Sequence, residues 1–353
     1  MESVTEQAIS SDGSRVAYIK KSYLPGTEYP SFNLFLANLD GSSTTQLTEF
    51  KMKSIVKVQW AYGGLAVAFM GNLPGKGDKS LNQVWLVDVQ SGKLTQLTDA
   101  PYGVTDFDWG AVGTILYSAI DSGNDSGPAP GDDTIRVTEI VETPVRLFSL
   151  DIASGQTRRI TENDDSIVSL SVSPDGRYVF MARTRSASPT YYQDIPFLHY
   201  LFDLEKNTER PIFEGFKVAD SASWSADSRT LFATGLFTGE KYMYAFIRVL
   251  RTLDISSGRE LVVDLDWDRG LLYGIKIRPV GDGFLALMED GCHPKLMRYV
   301  KSDRGYKRRM MKAEHQGNIF SMDLSADGTT ICYEYSTSSR PTQFYAASVK
   351  GDE

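Results

Sequence analysis

The sequence contains little cysteine and no long apolar run among its 353 residues. Its two cysteines, Cys292 and Cys332, are too few for a disulfide framework, and they favour a reducing compartment. No stretch approaches the roughly 18 apolar residues that a membrane-spanning helix needs. The first 15 residues lack the basic and apolar regions of a signal peptide. We therefore expect a cytoplasmic protein with no membrane partner.

Histidine is equally scarce, and its positions do not form a metal-binding pattern. No His-x-x-x-His or Cys-x-x-Cys spacing occurs, so structural or solvated roles are expected for His199, His293 and His315. The net charge of -8 comes from interspersed acidic and basic residues, which argues against nucleic acid as the main partner. The basic run 307–309 is expected to be a solvated face of an outer strand. We expect no metal and no cofactor.

The sequence is rich, however, in one repeated hairpin signal. Its clearest copy runs from Ser171 to Arg183 and has a Ser-Pro-Asp-Gly turn at 173–176 between two β-prone runs. Proline presets φ, aspartate bonds the local backbone and glycine accepts a positive φ, so this pattern predicts two antiparallel strands. Six further copies recur at spacings of roughly 45 to 63 residues, which is the range of propeller blades. They lie around Ser11, Trp60, Trp109, Trp224, Gly281 and Ser325.

Two residue types recur at fixed places in this hairpin. The turn aspartates are expected to bond the local backbone rather than to form catalytic carboxylate pairs. They are Asp12, Asp175, Asp227 and Asp327. The tryptophans that end the first strand are expected to pack between repeats. They are Trp60, Trp109 and Trp224.

A second signal lies between the hairpins. It consists of an apolar strand, an Asp-x-x-Ser-Gly turn and a polar strand that ends in Leu-Thr. The copies are 34–48, 84–98 and 147–161, with looser ones at 200–212, 250–263 and 296–311. We interpret the apolar strand as the third of each repeat and the polar strand as the exposed fourth.

Four strands repeated about seven times predict an all-β fold, a β-propeller of about seven four-stranded blades. One propeller domain is expected to fill residues 1–353. The expected blades are 5–50, 54–100, 102–163, 166–215, 217–268, 271–316 and 317–353.

The repeat is interrupted by insertions, and loops on a rigid scaffold often carry binding sites. The longer insertion, 121–133, is rich in glycine, proline and aspartate and is followed by a strand-like run at 134–141; a shorter one spans 73–81. Asp121, Asp125, Asp132 and Asp133 offer oxygen ligands for calcium, but a solvated loop is the alternative that their spacing favours. A further hypothesis is that Asp132, Asp133 and Arg136 face a partner domain or a substrate end.

The last repeat predicts three strands only, at 319–324, 330–335 and 343–349. We expect its outer strand to be absent or supplied from elsewhere, and read the C-terminus as a cut or as a junction. The bare edge would invite pairing with another chain, which makes a homo-oligomer possible. Apolar packing is then expected to join the first and last blades. The residues expected in that packing are Val16, Tyr18, Ile331, Tyr333 and Phe344.

These repeats resemble the WD40-like repeats of TolB-like and prolyl-oligopeptidase-like propellers. Within that group, Ala8–Ile19, Asp99–Val104 and Tyr335–Ser348 are similar to the N-terminal propeller of acylaminoacyl-peptidase-type members. The resemblance implies an α/β-hydrolase domain after Glu353, with a nucleophilic serine, an aspartate and a histidine. It also implies that the propeller covers the active site of a serine peptidase and admits short peptides.

The chain itself has no Gly-x-Ser-x-Gly nucleophile elbow, since the nearest string, 123–127, has the wrong spacing. No catalytic residue is therefore assigned. The leading hypothesis is a non-catalytic propeller that gates and filters peptide access to a hydrolase domain of the same polypeptide. One rival is a stand-alone TolB-like interaction scaffold. The other is a propeller lactonase or similar metal hydrolase, whose converging ligands are not readable in this sequence.

Overall fold

Seven antiparallel sheets follow one another along the chain in the computed structural model, and they form a β-propeller. This confirms the predicted all-β fold; the residues described contain no helix. The structure describes residues 2–23, 26, 29–50, 54–73, 81–121, 143–184, 197–214, 219–236, 247–272, 274, 277–303, 305–311 and 318–349. In each sheet the strands pair in chain order, from an innermost first strand to an outermost last strand.

The first four sheets each contain four strands. The first sheet consists of β1 (Glu2–Ile9), β2 (Arg15–Ser22), β3 (Ser31–Asn38) and β4 (Thr44–Gln46). The second consists of β5 (Ile55–Trp60), β6 (Ala66–Gly71), β7 (Gln83–Asp88) and β8 (Leu94–Gln96). The third consists of β9 (Val104–Trp109), β10 (Thr114–Ile120), β11 (Val145–Asp151) and β12 (Thr157–Arg159). The fourth consists of β13 (Ile167–Val172), β14 (Tyr178–Arg183), β15 (Leu198–Asp203) and β16 (Thr208–Ile212).

The last three sheets include one that departs from the four-stranded pattern. The fifth sheet consists of β17 (Ala219–Trp224), β18 (Thr230–Leu236), β19 (Arg248–Asp254) and β20 (Glu260–Val263). The sixth consists of β21 (Arg278–Val280), β22 (Gly283–Met288), β23 (Lys295–Ser302) and β24 (Gly305–Met310). The seventh has three strands, β25 (Asn318–Leu324), β26 (Thr330–Thr337) and β27 (Arg340–Ser348), as the sequence predicted.

The strands are buried in the order that the two repeat signals predicted. All of β22 is buried, and so is β26 from Ile331 to Tyr335, because a second strand lies between two others and packs on both faces. The fourth strands β4 and β12 are exposed along their length. The apolar strand of the second signal is thus the third strand, and the polar strand is the solvent-facing fourth.

The chain divides into two compact units. The first comprises Met1–Asn72, Trp85–Thr95 and Asp220–Glu353, and it contains the first, fifth, sixth and seventh sheets. The second comprises Leu73–Val84 and Gln96–Ala219, and it contains the third and fourth sheets. In the first unit, Phe284 and Tyr299 stack with ring centroids 4.7 Å apart in a buried cluster.

The hairpin turns are fixed by the aspartates that the sequence singled out. In the first turn, Ser10 Oγ donates a hydrogen bond to Asp12 (2.6 Å) and accepts one from the amide of Arg15 (2.9 Å). The amide of Gly13 closes the turn on the carbonyl of Ser10 (2.9 Å). The same arrangement recurs around Asp175, Asp227 and Asp327, which confirms their local role.

The Leu-Thr ending of the second signal also has a local cause. Thr98 Oγ1 accepts a hydrogen bond from the amide of Val84 (2.8 Å), fourteen residues earlier in the chain, and donates one to Gln83 (2.8 Å). Thr48 and Thr161 bond the amides of Leu34 and Leu147 in the same way. A threonine at this position satisfies a buried amide in the first half of the third strand.

Candidate functional site: the seam and the inserted connections

The first and seventh sheets contact each other without sharing a strand among the described residues. We call this contact the seam; it joins β1 and β2 to β25, β26 and β27. Residues 2–9 form the innermost strand of the first sheet, in register with β2, rather than a fourth strand of the seventh sheet. The seam therefore depends on contacts made by side chains.

Polar contacts at the seam come mainly from β1. Gln7 Nε2 donates to Ser321 Oγ (3.0 Å), and the Cys332 thiol donates to Gln7 Oε1 (3.3 Å). The amide of Ile9 donates to Asp323 Oδ2 (2.8 Å), and the other oxygen of Asp323 pairs with Arg278 (2.9 Å). Of these bonds, the one to Asp323 has a charged partner and is therefore the strongest link between the two sheets.

The hydrogen bond from the amide of Ile9 to Asp323 has counterparts between other neighbouring sheets. In each case an acidic residue on one innermost strand accepts hydrogen bonds from backbone amides of the next, and we call this arrangement a latch. The pairs are Glu6 with Lys57 and Val58, Asp106 with Leu170, Asp108 with Val172, and Asp323 with Ile9. A backbone amide of an innermost strand thus finds an acceptor across the interface rather than within its own sheet.

The apolar part of the seam has few buried members among the described residues. They are Ile9, Val16 and Cys332. Tyr18 and Phe344 add a tilted ring contact at its margin, with centroids 5.1 Å apart. By comparison, the cluster between the third and fourth sheets has eight buried members among the described residues.

The prediction that Ile331 and Tyr333 join the seam is wrong. Both lie in the cluster between the sixth and seventh sheets, whereas Cys332 packs on the first sheet. The reason is the alternation of side chains along β26, where odd-numbered and even-numbered residues point to opposite faces. Because β26 is buried on both faces, its apolar sequence did not show which face meets which neighbour.

A carboxyl group is buried on the seam-facing side of β26. Glu334 is 6% exposed, and its Oε1 has no hydrogen-bond partner among the described residues. Burial raises the pKa of Glu334 to about 7; a hydrogen bond with Ser321 opposes this shift, and the carboxylate of Glu6 adds to it. The neighbouring thiol of Cys332 has its pKa raised to about 12, chiefly by burial, so that it stays protonated and unreactive at neutral pH.

The predicted site residues Asp132, Asp133 and Arg136 lie outside the described residues, as do Asp125, His315 and the run 134–141. Ion pairs between side chains connect the two strands at the described base of that insertion. Asp121 Oδ2 accepts hydrogen bonds from Arg146 and Arg159, each at 2.8 Å. This carboxylate is therefore engaged by two guanidinium groups at the base of the connection between β10 and β11. The described residues contain no group of three or more His, Cys, Asp or Glu placed to hold a metal ion.

The other candidate residues have structural roles. His199 is 3% exposed and stacks on Phe180, with centroids 5.9 Å apart. Trp60 Nε1 donates to the carbonyl of Ala8 in the neighbouring sheet (2.8 Å), which confirms packing between repeats. The basic run 307–309 lies on the outer strand β24, as predicted. Within the described residues, no helix has the length and apolarity to span a membrane.

Gln7, Asp323 and Glu334 were missed by the sequence reasoning. Gln7 and Asp323 belong to innermost strands, and a polar residue there looks like an ordinary exposed strand position. The available signal was an acidic residue repeated within such strands, as in Glu6, Asp106 and Asp323. Nothing in the sequence indicated that the charge of Glu6 acts on Glu334, which is 328 positions away.

Comparisons with known proteins give one remote sequence relative. No protein-family profile matches the chain. The uncharacterized peptidase YuxL of Bacillus subtilis is 22% identical over 194 residues, which make up 50% of this chain and 29% of that protein. The matched part is thus less than a third of the relative's length, so the relative's activity is not transferred by this match.

Solved structures resemble the chain over its whole length. Pyrococcus horikoshii acylaminoacyl peptidase matches with a TM-score of 0.68 and 13% identity, covering 100% of this chain and 53% of that chain. The β-propeller domain of the Trilobed protease from Pyrococcus furiosus matches with a TM-score of 0.65 and 13% identity, covering 100% and 99%. That domain is described as having an open velcro topology. At these identities the likeness shows the fold, and the chain has the β-propeller fold that occurs in these peptidases.

Proposed function

We propose that this chain is the propeller of a serine peptidase of the prolyl oligopeptidase family, and that it filters peptide access to a hydrolase domain of the same polypeptide. Three findings support this. The fold matches acylaminoacyl peptidase over the whole chain, a remote relative is a peptidase, and the chain spans about half of the matched peptidase chain. Short peptides are the substrate class that the family resemblance implies.

The seam is the observation that carries the filtering role. A propeller whose first and last sheets share no strand can open there by breaking side-chain contacts alone, without breaking a sheet. Among the described residues, such a separation would break the contacts of three buried apolar residues and a few hydrogen bonds. We propose that transient opening at the seam admits peptides, while long or folded chains stay outside.

The attached hydrolase domain is tested by reading the gene beyond the codon for Glu353. The proposal expects a domain with Gly-x-Ser-x-Gly followed by aspartate and histidine, and peptidase activity in the complete protein. A complete protein without such a domain, and without turnover of acyl-peptides, would contradict the proposal and favour the interaction scaffold.

The filtering role is tested by cross-linking the seam in the complete protein. In a Cys292→Ser background, Tyr18→Cys and Phe344→Cys are joined by a short bifunctional thiol reagent, since their rings lie across the seam. The matched control joins Tyr18→Cys to Phe35→Cys within the first sheet, where the ring centroids are 5.6 Å apart. We expect the cross-seam link to slow turnover of peptides far more than that of a small ester. If both links leave peptide turnover unchanged, access does not require the seam.

A further inference from the structure

The seam contains a buried carboxyl group, that of Glu334, in addition to the hydrogen bonds made by Gln7 and Asp323. In β26, Glu334 follows Cys332 on the same face, and it is paired in register with Ser321 of β25. Ser321 also accepts the hydrogen bond from Gln7 across the seam. Glu334 is thus buried directly beside the residues that hold β1 and β25 together.

The charged and titratable groups around Glu334 do not compensate its charge. From β1, Glu6 contributes a second carboxylate, whose Oε2 is already bonded to the amides of Lys57 and Val58. From β25, Asp323 forms an ion pair with Arg278. On β26 itself the neighbouring titratable group is the protonated thiol of Cys332.

Lys20 and Phe344 represent the other described elements at the seam, β2 and β27. On β2, the ammonium of Lys20 lies over the ring of Phe35, 5.4 Å from its centroid. On β27, the residue in register with Glu334 is Phe344. A buried carboxylate with one oxygen unpartnered and a second carboxylate nearby is unfavourable in its charged form.

We propose that the seam is a proton-sensitive contact, in which protonated Glu334 lets the first and seventh sheets close and ionised Glu334 loosens them. When Glu334 is protonated, the buried group in register with Ser321 is a neutral carboxylic acid. When it is ionised, a carboxylate with one unpartnered oxygen is buried at the seam and is repelled by that of Glu6, and opening relieves both this repulsion and the desolvation of Glu334. The proposal concerns the seam itself and does not depend on an attached hydrolase domain.

The direction and size of the effect follow from proton linkage. In the closed seam the pKa of Glu334 is about 7, whereas in an open, hydrated seam it returns toward 4.5. The closed state therefore holds the proton more tightly, and its advantage is complete below the lower value and lost as pH rises through the upper one. We expect opening at the seam to increase by about tenfold or more between pH 5.5 and pH 8.

Hydrogen exchange of the complete protein tests the proposal. Rates are corrected for the intrinsic chemical rate at each pH, and amides of β13 and β14 serve as the internal reference. In the wild-type protein, β1 and β25 should lose protection relative to that reference with a midpoint near pH 7. Glu334→Gln, which stays neutral, should keep the seam protected at both pH values. Glu49→Gln, at an exposed position, is the matched control and should behave like the wild type.

The test does not depend on one variant. If Glu334→Gln does not fold, the wild-type titration and Glu6→Gln replace it, because removing the neighbouring carboxylate should move the midpoint to lower pH. A seam whose protection does not change with pH, or a folded Glu334→Gln protein that retains the wild-type pH response, overturns the proposal. Neither outcome bears on peptidase activity, so this test and that of the proposed function fail separately.

Discussion

The seam and the interface between the third and fourth sheets use the same parts but pack them differently. At the latter interface, a Cβ added to the turn glycine Gly176 would lie 2.7 Å from the backbone nitrogen of Ala111. At the seam, the equivalent glycine, Gly13, faces only side-chain atoms of Ser325 and Thr330, the nearest at 3.1 Å. Both interfaces have an acid-to-amide latch, but among the described residues the buried apolar cluster at the seam has three members, against eight at the other interface.

This difference shows how one interface of a propeller can be made weaker than another without changing the repeat. A smaller buried cluster contributes less free energy, since each fully buried aliphatic or aromatic side chain supplies about 1.5–3 kcal/mol. The seam also contains Glu334, a buried carboxyl group that the charge of a second acid, Glu6, disfavours in its ionised form. The interface between the third and fourth sheets has Asp106 and Asp108, and both are bonded to amides.

The largest effect on the free energy of unfolding is expected from replacing the turn glycines by alanine. Gly176→Ala should lower the free energy of unfolding by roughly 2–4 kcal/mol, because the new Cβ meets backbone in a positive-φ turn. Gly13→Ala should cost about 1–2 kcal/mol, since side chains can shift. Gly155→Ala, with a similar φ and nothing within 4 Å, is the control and reports the backbone strain alone. Equal losses for Gly13→Ala and Gly176→Ala in urea unfolding would show that the two interfaces are packed alike.

Removing the latch acids should give a smaller and local effect. Asp323→Ala and Asp106→Ala each remove a charged acceptor from a backbone amide, and each should cost about 1.5–3 kcal/mol. Hydrogen exchange should rise in β1 and β25 for the first variant, and in β9 and β13 for the second. A variant that raises exchange at both interfaces alike would argue against independent latches.

The parts of the structure that the sequence predicted are those fixed by near neighbours. The Ser325–Asp327 turn closes over two residues, and Thr98 reaches Val84 over fourteen, so each leaves a repeated pattern. The seam joins Gln7 to Ser321 across 314 residues, and no repeated pattern in the sequence predicts that contact. Its apolar members were only partly predicted, because a strand buried on both faces does not show in its sequence which neighbour each face meets.

The smallest effect is expected at acid pH. Hydrogen bonds from serine side chains and backbone amides lower the pKa of Asp12 and of Asp254 to about 2. The stabilisation by these carboxylates is present above their unfolded pKa of 3.8 and is lost as pH falls through about 2. Both carboxylates are exposed and screened by solvent, so the change is small.

Asp12 lies in the turn that contacts the seventh sheet, whereas Asp254 lies in the fifth sheet, away from the seam. Asp12→Asn should therefore flatten the acid-induced rise in seam exchange between pH 4 and pH 2, and Asp254→Asn should leave that rise in place. An identical acid response of the seam in both variants would show that the Asp12 turn does not contribute to the stability of the seam.

The central claim is that the seam opens more readily than the interface between the third and fourth sheets. Native-state hydrogen exchange at neutral pH tests it most directly, by comparing amides of β1 and β25 with those of β9 and β13 in the same sample. We predict that the seam amides exchange at least about tenfold faster under conditions where exchange reports the opening equilibrium. Equal protection at the two interfaces would contradict the account.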